Sequence, residues 1–343
     1  MPKMINKIAA LGIAAAALAG FAGPASAQAT LDAVKKRGKV LCGVSPSSAG
    51  YSYADDKGVR QGFDTDVCRA VSSAVFGAPD KVEFVPLNTN IRFQALQSGE
   101  IDVLSRQTTM TFSRDNSLGL DFAPIVFYDG QGLMVSTKLG VKNASELSQA
   151  AICLLPGTTT LQNLEDYFKP RNIKYEAVVF EDNNEWRNAF FSGRCDVITT
   201  DRSDLASVRA VANDPKRFVI LPETISKEPL APVVRQNDSN WKDIVSWSVN
   251  TLIAAEEYGV TQANVDEQLK SKDPEIQRML GVNGDLGKML NLDNKWAYNI
   301  IKQNGNYGEI FERSLGEKTA LGLSRGPNQL WNKGGLLYSP PFR

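Results

Sequence analysis

The sequence predicts a two-lobed α/β protein, each lobe a mainly parallel sheet flanked by helices, with a helical segment at the C-terminus. The first observation behind this is length, since 343 residues exceed the roughly 250 to 300 at which a single core stops growing. The second is a repeat. Ala95-Leu96-Gln97-Ser98-Gly99-Glu100-Ile101-Asp102-Val103-Leu104 is echoed by Ala189-Phe190-Phe191-Ser192-Gly193-Arg194-Cys195-Asp196-Val197-Ile198. Each copy reads as helix, Ser-Gly stop, then strand, because glycine accepts the left-handed backbone that ends a helix. The third is that these strands are short apolar runs without alternation, the pattern of strands buried on both faces in parallel sheets.

Taken along the chain, residues 1–27 come first. Lys3 and Lys7 give a positive start, Ile8 to Ala22 is an almost unbroken apolar run, and Ala25-Ser26-Ala27 offers small residues for cleavage. This predicts a secretory signal removed before Gln28. The run is about 15 residues, short of the roughly 20 that span a bilayer. No cysteine accompanies the cleavage point to carry a lipid, so the mature protein is expected to be soluble. Val40 to Val44 and Ala151 to Leu155 then read as equivalent first strands, each running into a polar loop. After the first, Gly62-Phe63-Asp64-Thr65-Asp66-Val67 opens a helix with Val67, Val71, Ala74 and Val75 at helical spacing. After the second, Leu161 to Phe168 reads as a helix stopped by Pro170. Beyond Thr261, Val265 to Leu280 and Lys295 to Ile301 read as helical patches between glycine-rich breaks, with Trp296, Tyr298, Tyr307 and Phe311 as a packed cover for the first lobe.

Composition excludes several functions. Acidic and basic side chains balance at 38 each, and loss of Lys3 and Lys7 leaves a slight acidic excess, which speaks against a nucleic-acid partner. There is no histidine, so the commonest general base and metal ligand is missing; no metal or cofactor is expected. The four cysteines, Cys42, Cys68, Cys153 and Cys195, show no metal-binding spacing. In an exported chain they read as two disulfides, Cys42 with Cys68 and Cys153 with Cys195, each inside one lobe and each adding about 2 to 4 kcal/mol. The alternative is four buried free thiols.

In open α/β sheets ligands collect beyond the carboxyl ends of the strands. There the first lobe offers Ser105-Arg106-Gln107-Thr108-Thr109-Met110-Thr111 and then Arg114, and the second offers Thr199-Thr200-Asp201-Arg202. A guanidinium grips a carboxylate through two parallel hydrogen bonds, and a carboxylate with hydroxyl oxygens satisfies an ammonium. Backbone N–H groups at the start of the Thr160 to Phe168 helix add donors for an anion. Arg114 and Asp201, one from each repeat, therefore suit a zwitterion.

Through Gly62 to Val67, Ala95 to Asp102, Gly157-Thr158-Thr159 and Asp196 to Asp201, the chain resembles the polar amino-acid-binding proteins of ABC importers, solute-binding protein family 3, over roughly residues 35 to 258. Its long C-terminal segment and paired cysteines look most like the general L-amino-acid-binding subgroup. The resemblance implies the periplasmic-binding-protein type II, or Venus-flytrap, fold. Residues 28–135 would begin lobe 1, 136–229 form lobe 2, 230–260 return to lobe 1, and 261–343 form an extension packing on lobe 1. The crossings would fall near Phe127 to Val135 and Leu230 to Arg235, where Pro229 and Pro232 suit an extended hinge.

The resemblance further implies that Arg114 binds the ligand carboxylate with backbone N–H groups of Thr109 and Thr159. Asp201, the Thr109 hydroxyl and the Gln107 carbonyl would hold the ammonium. Ser48, Tyr51, Thr89, Asn90 and Leu155 would surround the ligand side chain. Small walls at Ser48 and Thr89, where relatives often carry aromatics, suggest a roomy pocket with broad tolerance. The expected partners are free L-amino acids and an ABC permease in the inner membrane, and the expected state is a periplasmic monomer. Two rival functions share the scaffold: an exported cyclohexadienyl or arogenate dehydratase, disfavoured by the missing histidine, and a purely sensory amino-acid receptor.

Overall fold

A computed structural model describes residues 29–343; the expected secretory leader and its expected cleavage point lie outside the described residues. Helix α1 (Ala29–Arg37) leads into β1 (Val40–Val44), the small hairpin β2 (Tyr53–Ala54) and β3 (Arg60–Gln61), and helix α2 (Phe63–Phe76). Strand β4 (Val82–Pro86), α3 (Arg92–Gln97), β5 (Val103–Leu104), α4 (Phe112–Ser117) and β6 (Leu120–Phe122) follow. Strand β7 (Phe127–Asp129) is the first crossing. Beyond it lie β8 (Gln131–Ser136), β9 (Ala150–Leu154), α5 (Thr160–Phe168), β10 (Tyr175–Val179), α6 (Asn183–Phe191), β11 (Val197–Asp201), α7 (Arg202–Ala210) and β12 (Phe218–Ile220). The chain returns through β13 (Glu228–Leu230) to β14 (Val233–Arg235) and α8 (Ser239–Glu257).

The two lobes repeat each other strand for strand. One sheet runs β4-β1-β5-β14-β6 and the other β10-β9-β11-β8-β12. In each, a single strand opposes the other four, β14 in the first and β8 in the second. These are the strands that arrive across the hinge, and their entry from the other lobe gives them the opposite direction. β8 belongs wholly to the second sheet, so that sheet starts at Gln131, five residues ahead of the boundary expected at 136. The hinge itself is β7 paired antiparallel with β13, Phe127 opposite Leu230 and Asp129 opposite Glu228.

The repeated motif has a repeated job. Gly99 and Gly193 take φ of 81° and 82°, and the serine before each glycine donates its hydroxyl to the helix carbonyl three residues back. Asp102 accepts from the Leu41 N–H at 2.7 Å, and Asp196 from the Ala151 N–H at 2.8 Å. Each aspartate thereby pins the start of its lobe's first strand. The disulfides differ between lobes. Cys42–Cys68 ties β1 to α2, and Cys153–Cys195 ties β9 to the segment entering β11, with Cα atoms 6.3 and 5.7 Å apart.

Apolar residues on both faces of each sheet are buried, as the unalternating strands require. The remaining helices, α9 (Val265–Gln268), α10 (Pro274–Met279), α11 (Leu286–Met289), α12 (Trp296–Asn304) and α13 (Tyr307–Ser314), pack with α2 and α8 in one continuous first-lobe core. The stretch from Val265 to Leu280 is two helices with a break before Pro274, because proline supplies no N–H and favours the first turn of a helix. Trp296, Tyr307 and Phe311 are buried in that core, Tyr298 only partly. Among the described residues no helix is long and apolar enough to cross a membrane.

Candidate functional site

The two repeated strands end at one cavity. β5 runs out into Ser105 to Thr109, β11 ends on Asp201, and the lobes bring these ends together around a small space of about 50 Å³. Its first-lobe wall is Ser45, Thr89, Arg92, Arg106, Gln107, Thr109 and Arg114; its second-lobe wall is Leu155, Thr158, Thr159, Thr160, Asn183, Thr200, Asp201 and Asp204. At about 10 to 15 Å³ per water the space holds a few water molecules, the scale of a small zwitterion's head group.

The first-lobe wall is basic. Thr111 caps α4 and accepts from the Arg114 N–H at 3.2 Å, which starts the helix where Arg114 faces the cleft. Arg114 donates to the Thr109 carbonyl at 3.0 Å and across the cleft to the Gly157 carbonyl at 3.4 Å. Arg92 donates to the same Gly157 carbonyl at 3.3 Å. Both guanidiniums lie on the Phe93 ring, 4.9 and 5.1 Å from its centre. Burial lowers the pKa of each from the ordinary arginine value. For Arg92 the neighbouring Arg106 and Arg114 act in the same direction, so a carboxylate placed here would relieve a concentration of positive charge. Arg106 is pinned to the Leu87 carbonyl at 2.7 Å and sits between Asp64 and Asp204. Beside them Gln107 holds φ of 40°, an uncommon conformation for a residue with a side chain.

Thr109 is oriented by the hinge. Met110 N–H donates to the Pro229 carbonyl and Ala231 N–H to the Thr108 carbonyl, and Thr109 forms an antiparallel bridge with Leu230 between them. Alternation along such a bridge turns the amide groups of Thr109 itself the other way, where its carbonyl meets Arg114.

The second-lobe wall is acidic. Asp201 stands at the first-turn boundary of α7 without capping it, so its carboxyl is left facing the cavity. Burial holds its pKa well above the usual carboxylate range, and Asp129, Glu228 and Asp204 add to the rise. Asp129 on the hinge is likewise raised, to about 6, by burial, and Asp64 to about 7. An ammonium beside Asp201 would favour its ionised form.

Glu228, on β13 and 1 % exposed, joins the lobes. It accepts from Thr109 of the first lobe at 2.5 Å and from Thr159 and Asn163 of the second at 2.9 and 2.6 Å, with Ser226 at 2.6 Å. Both threonine hydroxyls are thus used as donors, which leaves their oxygen lone pairs for a ligand N–H. Four buried polar atoms on the cavity wall have no protein partner: Thr89 Oγ1, Arg92 Nε, Gln107 Nε2 and Asn183 Oδ1. Such convergence of unsatisfied groups is rare in a native interior and marks a place for a polar ligand.

Of the residues singled out in the sequence, Arg114, Thr109, Thr159, Asp201, Gln107, Thr89 and Leu155 meet at this cavity. Ser48, Tyr51 and Asn90 do not line it, which corrects their expected place around the ligand side chain. They bond to the opposite lobe instead. Ser48 donates to Asp204 at 2.9 Å, Tyr51 to the Ser203 hydroxyl at 2.6 Å and Asn90 to Glu181 at 2.8 Å. The Tyr51 ring is packed edge-on against Phe63 and Phe127, so it is part of the hinge-side core. Arg92, Asn183, Asp204 and Glu228 were not anticipated. Arg92 carried one signal, a cation in the first turn of a helix, where the backbone dipole disfavours positive charge.

Two lobes joined by a short two-stranded hinge, with a basic and an acidic wall shut over a small cavity, define a protein that captures a ligand by closing on it. Residues 40–264 match the family model for bacterial extracellular solute-binding proteins, family 3. The chain is 55% identical to the general L-amino acid-binding periplasmic protein of Rhizobium johnstonii, covering 99% of this chain and 100% of that one. It is 52% identical to the glutamate/glutamine/aspartate/asparagine-binding protein of Rhodobacter capsulatus, over 95% of this chain and 97% of the relative. A periplasmic binding protein from Brucella ovis, solved with glutathione bound, superposes with a TM-score of 0.90 at 53% identity, covering 92% of this chain and 99% of the other. The chain belongs to the bacterial extracellular solute-binding proteins, family 3.

Proposed function

We propose that the chain is the periplasmic binding component of an amino-acid ABC importer, taking free L-amino acids by lobe closure. The observation that carries the reading is the opposition of Arg114 and Asp201 across one small cavity whose walls hold four unpartnered polar atoms. In the loaded state Arg114 takes the ligand carboxylate through parallel hydrogen bonds, exchanging the Gly157 carbonyl for it. The Thr109 N–H and the N-terminal amides of α5, next to Thr159, add donors. Asp201 takes the ammonium, with the Thr109 hydroxyl and the Gln107 carbonyl as further acceptors.

The groups used so far read only what all amino acids share, which is how one site accepts many side chains. Thr89, Leu155, Arg92 and Asn183 are left to face the variable part. Arg92 gives a side-chain carboxylate or amide oxygen a partner, consistent with the acidic and amide ligands in the name of the Rhodobacter capsulatus relative. The γ-glutamyl end of glutathione, the ligand of the Brucella ovis protein, carries the same free carboxylate and ammonium. Periplasmic location follows the relatives' names and the predicted leader.

The test is a thermal-shift screen of the purified mature protein against the twenty amino acids and glutathione, followed by calorimetry on the hits. A ligand that binds only the folded protein raises its melting temperature, by mass action. Several amino acids of different side-chain class are expected to raise it. No rise with any of them would end the reading.

A further inference from the structure

The hinge has one open edge, and the C-terminal extension covers it. β13 is flanked on both sides, by β7 along one edge and by the Thr108 to Met110 segment along the other. Among the described strands β7 pairs with β13 alone. Its middle residue, Tyr128, stands opposite Pro229, which has no N–H, and the Pro229 carbonyl is turned the other way, to the Met110 N–H. Alternation along an antiparallel pair therefore turns both backbone groups of Tyr128 away from β13. One side chain meets them both. Asn328, 3% exposed, accepts from the Tyr128 N–H at 2.6 Å and donates to the Tyr128 carbonyl at 3.1 Å. Its carboxamide stands in for a third hinge strand. The asparagine is itself held to the first lobe. Its carbonyl accepts from Arg325 Nε at 2.9 Å, and the Arg325 guanidinium is paired with Glu256 of α8 at 3.0 Å and lies 5.0 Å from the centres of the Tyr307 and Phe311 rings. Tyr307 donates to the Val126 carbonyl at 2.8 Å, two residues ahead of Tyr128.

We propose that Asn328 is a positioning residue for ligand capture: by fixing Tyr128 to the first lobe it sets the pivot of this strand at Asp129 and Gly130, and with it the place of the acidic wall. The proposal rests on the functional reading above and extends it to a residue outside the cavity. The groups that carry the effect follow Tyr128 directly. Asp129 accepts from the Ser203 N–H at the start of α7 at 3.2 Å, the Gly130 carbonyl accepts from the Arg202 N–H at 2.9 Å, and Gln131 is the strand partner of Asp201. Gly130 is also where the returning chain passes closest, since a Cβ there would stand 2.6 Å from the Ser226 carbonyl and collide with the Thr224 methyl. The two crossings touch at the pivot and turn together. A hinge freed at Tyr128 lets the lobes meet at more angles, and binding that must select one of them loses more conformational entropy. That loss falls on every ligand alike, because Asn328 is not on the cavity wall.

The experiment follows lobe separation and affinity together in the purified mature protein, with one label on each lobe and with L-glutamate and L-asparagine as probes. Asn328→Ala is expected to broaden the distance distribution of the ligand-free protein and to weaken both probes by the same factor, about fivefold, the scale of one net hydrogen bond. An ionised aspartate accepts but cannot donate, whereas its protonated acid does both. Asn328→Asp should therefore resemble Asn328→Ala at high pH and approach wild type at low pH, each compared with wild type at the same pH; it carries the test if Asn328→Ala does not fold. Arg313→Ala, which cuts the extension's pair with Asp66 on α2, should leave distances and affinities as they are. A lower melting temperature of Asn328→Ala with unchanged distances and affinities makes the residue merely structural and overturns the proposal. An aspartate variant without recovery at low pH overturns it as well, and so does a loss that differs between the two probes. An equal loss from Arg313→Ala overturns it too, because any loosening of the extension would then suffice. If wild-type protein binds no amino acid, the functional reading has failed by itself, and the ligand-free distances still decide for or against the brace.

Discussion

The two lobes are one architectural unit written twice, and where they bear on the cavity they part company just after the motif strand. Both have the strand order edge, first strand, motif strand, crossing strand, edge. Both use the aspartate of the Ser-Gly-x-x-Asp motif to hold the first strand through its backbone N–H. Immediately after the motif strand the copies diverge. The first continues into Ser105-Arg106-Gln107 and presents Arg92, Arg106 and Arg114, while the second finishes on Thr199-Thr200-Asp201 and adds Asp204. The scaffold residues are therefore duplicated and the cavity-wall residues are complementary. A symmetric pair of identical ends would have put like charges face to face when the lobes shut. Opposite ends give a cavity that suits a molecule with both charges and that is finished only by closure.

The largest effect expected from breaking this division is on the basic side. Arg114→Ala should weaken amino-acid binding by about 100-fold or more, the range for removing one partner of a buried charge pair. Its guanidinium touches only backbone carbonyls and the Phe93 ring, so the melting temperature of the ligand-free protein should shift by only a few degrees. Calorimetry giving near-native affinity would remove the carboxylate role from Arg114.

A smaller loss should come from the point of contact itself. Gly157 has φ of +68°, and a Cβ would meet the Thr89 carbonyl at 2.9 Å and the Asn90 Cα at 3.1 Å across the cleft. Both obstacles are backbone, so neither can swing aside. Gly157→Ala should hold the lobes slightly apart and weaken binding about tenfold, without change in which ligands are preferred. Scattering from the loaded variant should give a radius of gyration nearer the open form; an unchanged affinity would mean that full contact between residues 89–90 and 157 is not needed for capture.

The same comparison explains how much of the molecule could be read beforehand. The repeat was legible because it is local: a glycine with a left-handed backbone, a serine closing the helix and an apolar run all lie within ten residues. Arg114 and Asp201 were legible because they follow the ends of those strands. Glu228 was not. It sits in Ser226-Lys227-Glu228-Pro229, which reads as a proline-rich crossing, and its four donors come from both lobes and the hinge. Only closure assembles them. Ser48, Tyr51 and Asn90 were read as lining the pocket for a related reason: proximity to the cleft is visible in the sequence, but which side of the seam a hydroxyl or amide serves depends on the opposing lobe. The C-terminal helices are short and separated by breaks, so their periodicity is weak, and their burial comes from contact with α2 and α8 far back in the chain.

The acidic side should show itself more gently, through pH. When the empty lobes shut, Asp201 is enclosed in a site with other carboxyls nearby, and its pKa rises well above the usual range. With the lobes parted its carboxyl would return to water and toward the ordinary value of about 4. The closed, empty form thus holds more protons than the open one. By linkage its relative stability is full below the open-state pKa and is lost as pH rises through the raised closed-state pKa of Asp201. Lowering the pH from 8 to about 5.5 should therefore shift ligand-free protein several-fold toward the closed form. With ligand bound the ammonium neutralises Asp201, and the dependence should shrink. Distance measurements between one label on each lobe would follow the shift. Asp201→Asn should remove most of it, because the amide carries no charge to desolvate at any pH. A ligand-free protein whose lobe separation ignores pH across this window would mean that the acidic wall stays hydrated on closing, and that the opposition of charges is not what holds the cavity open for its ligand.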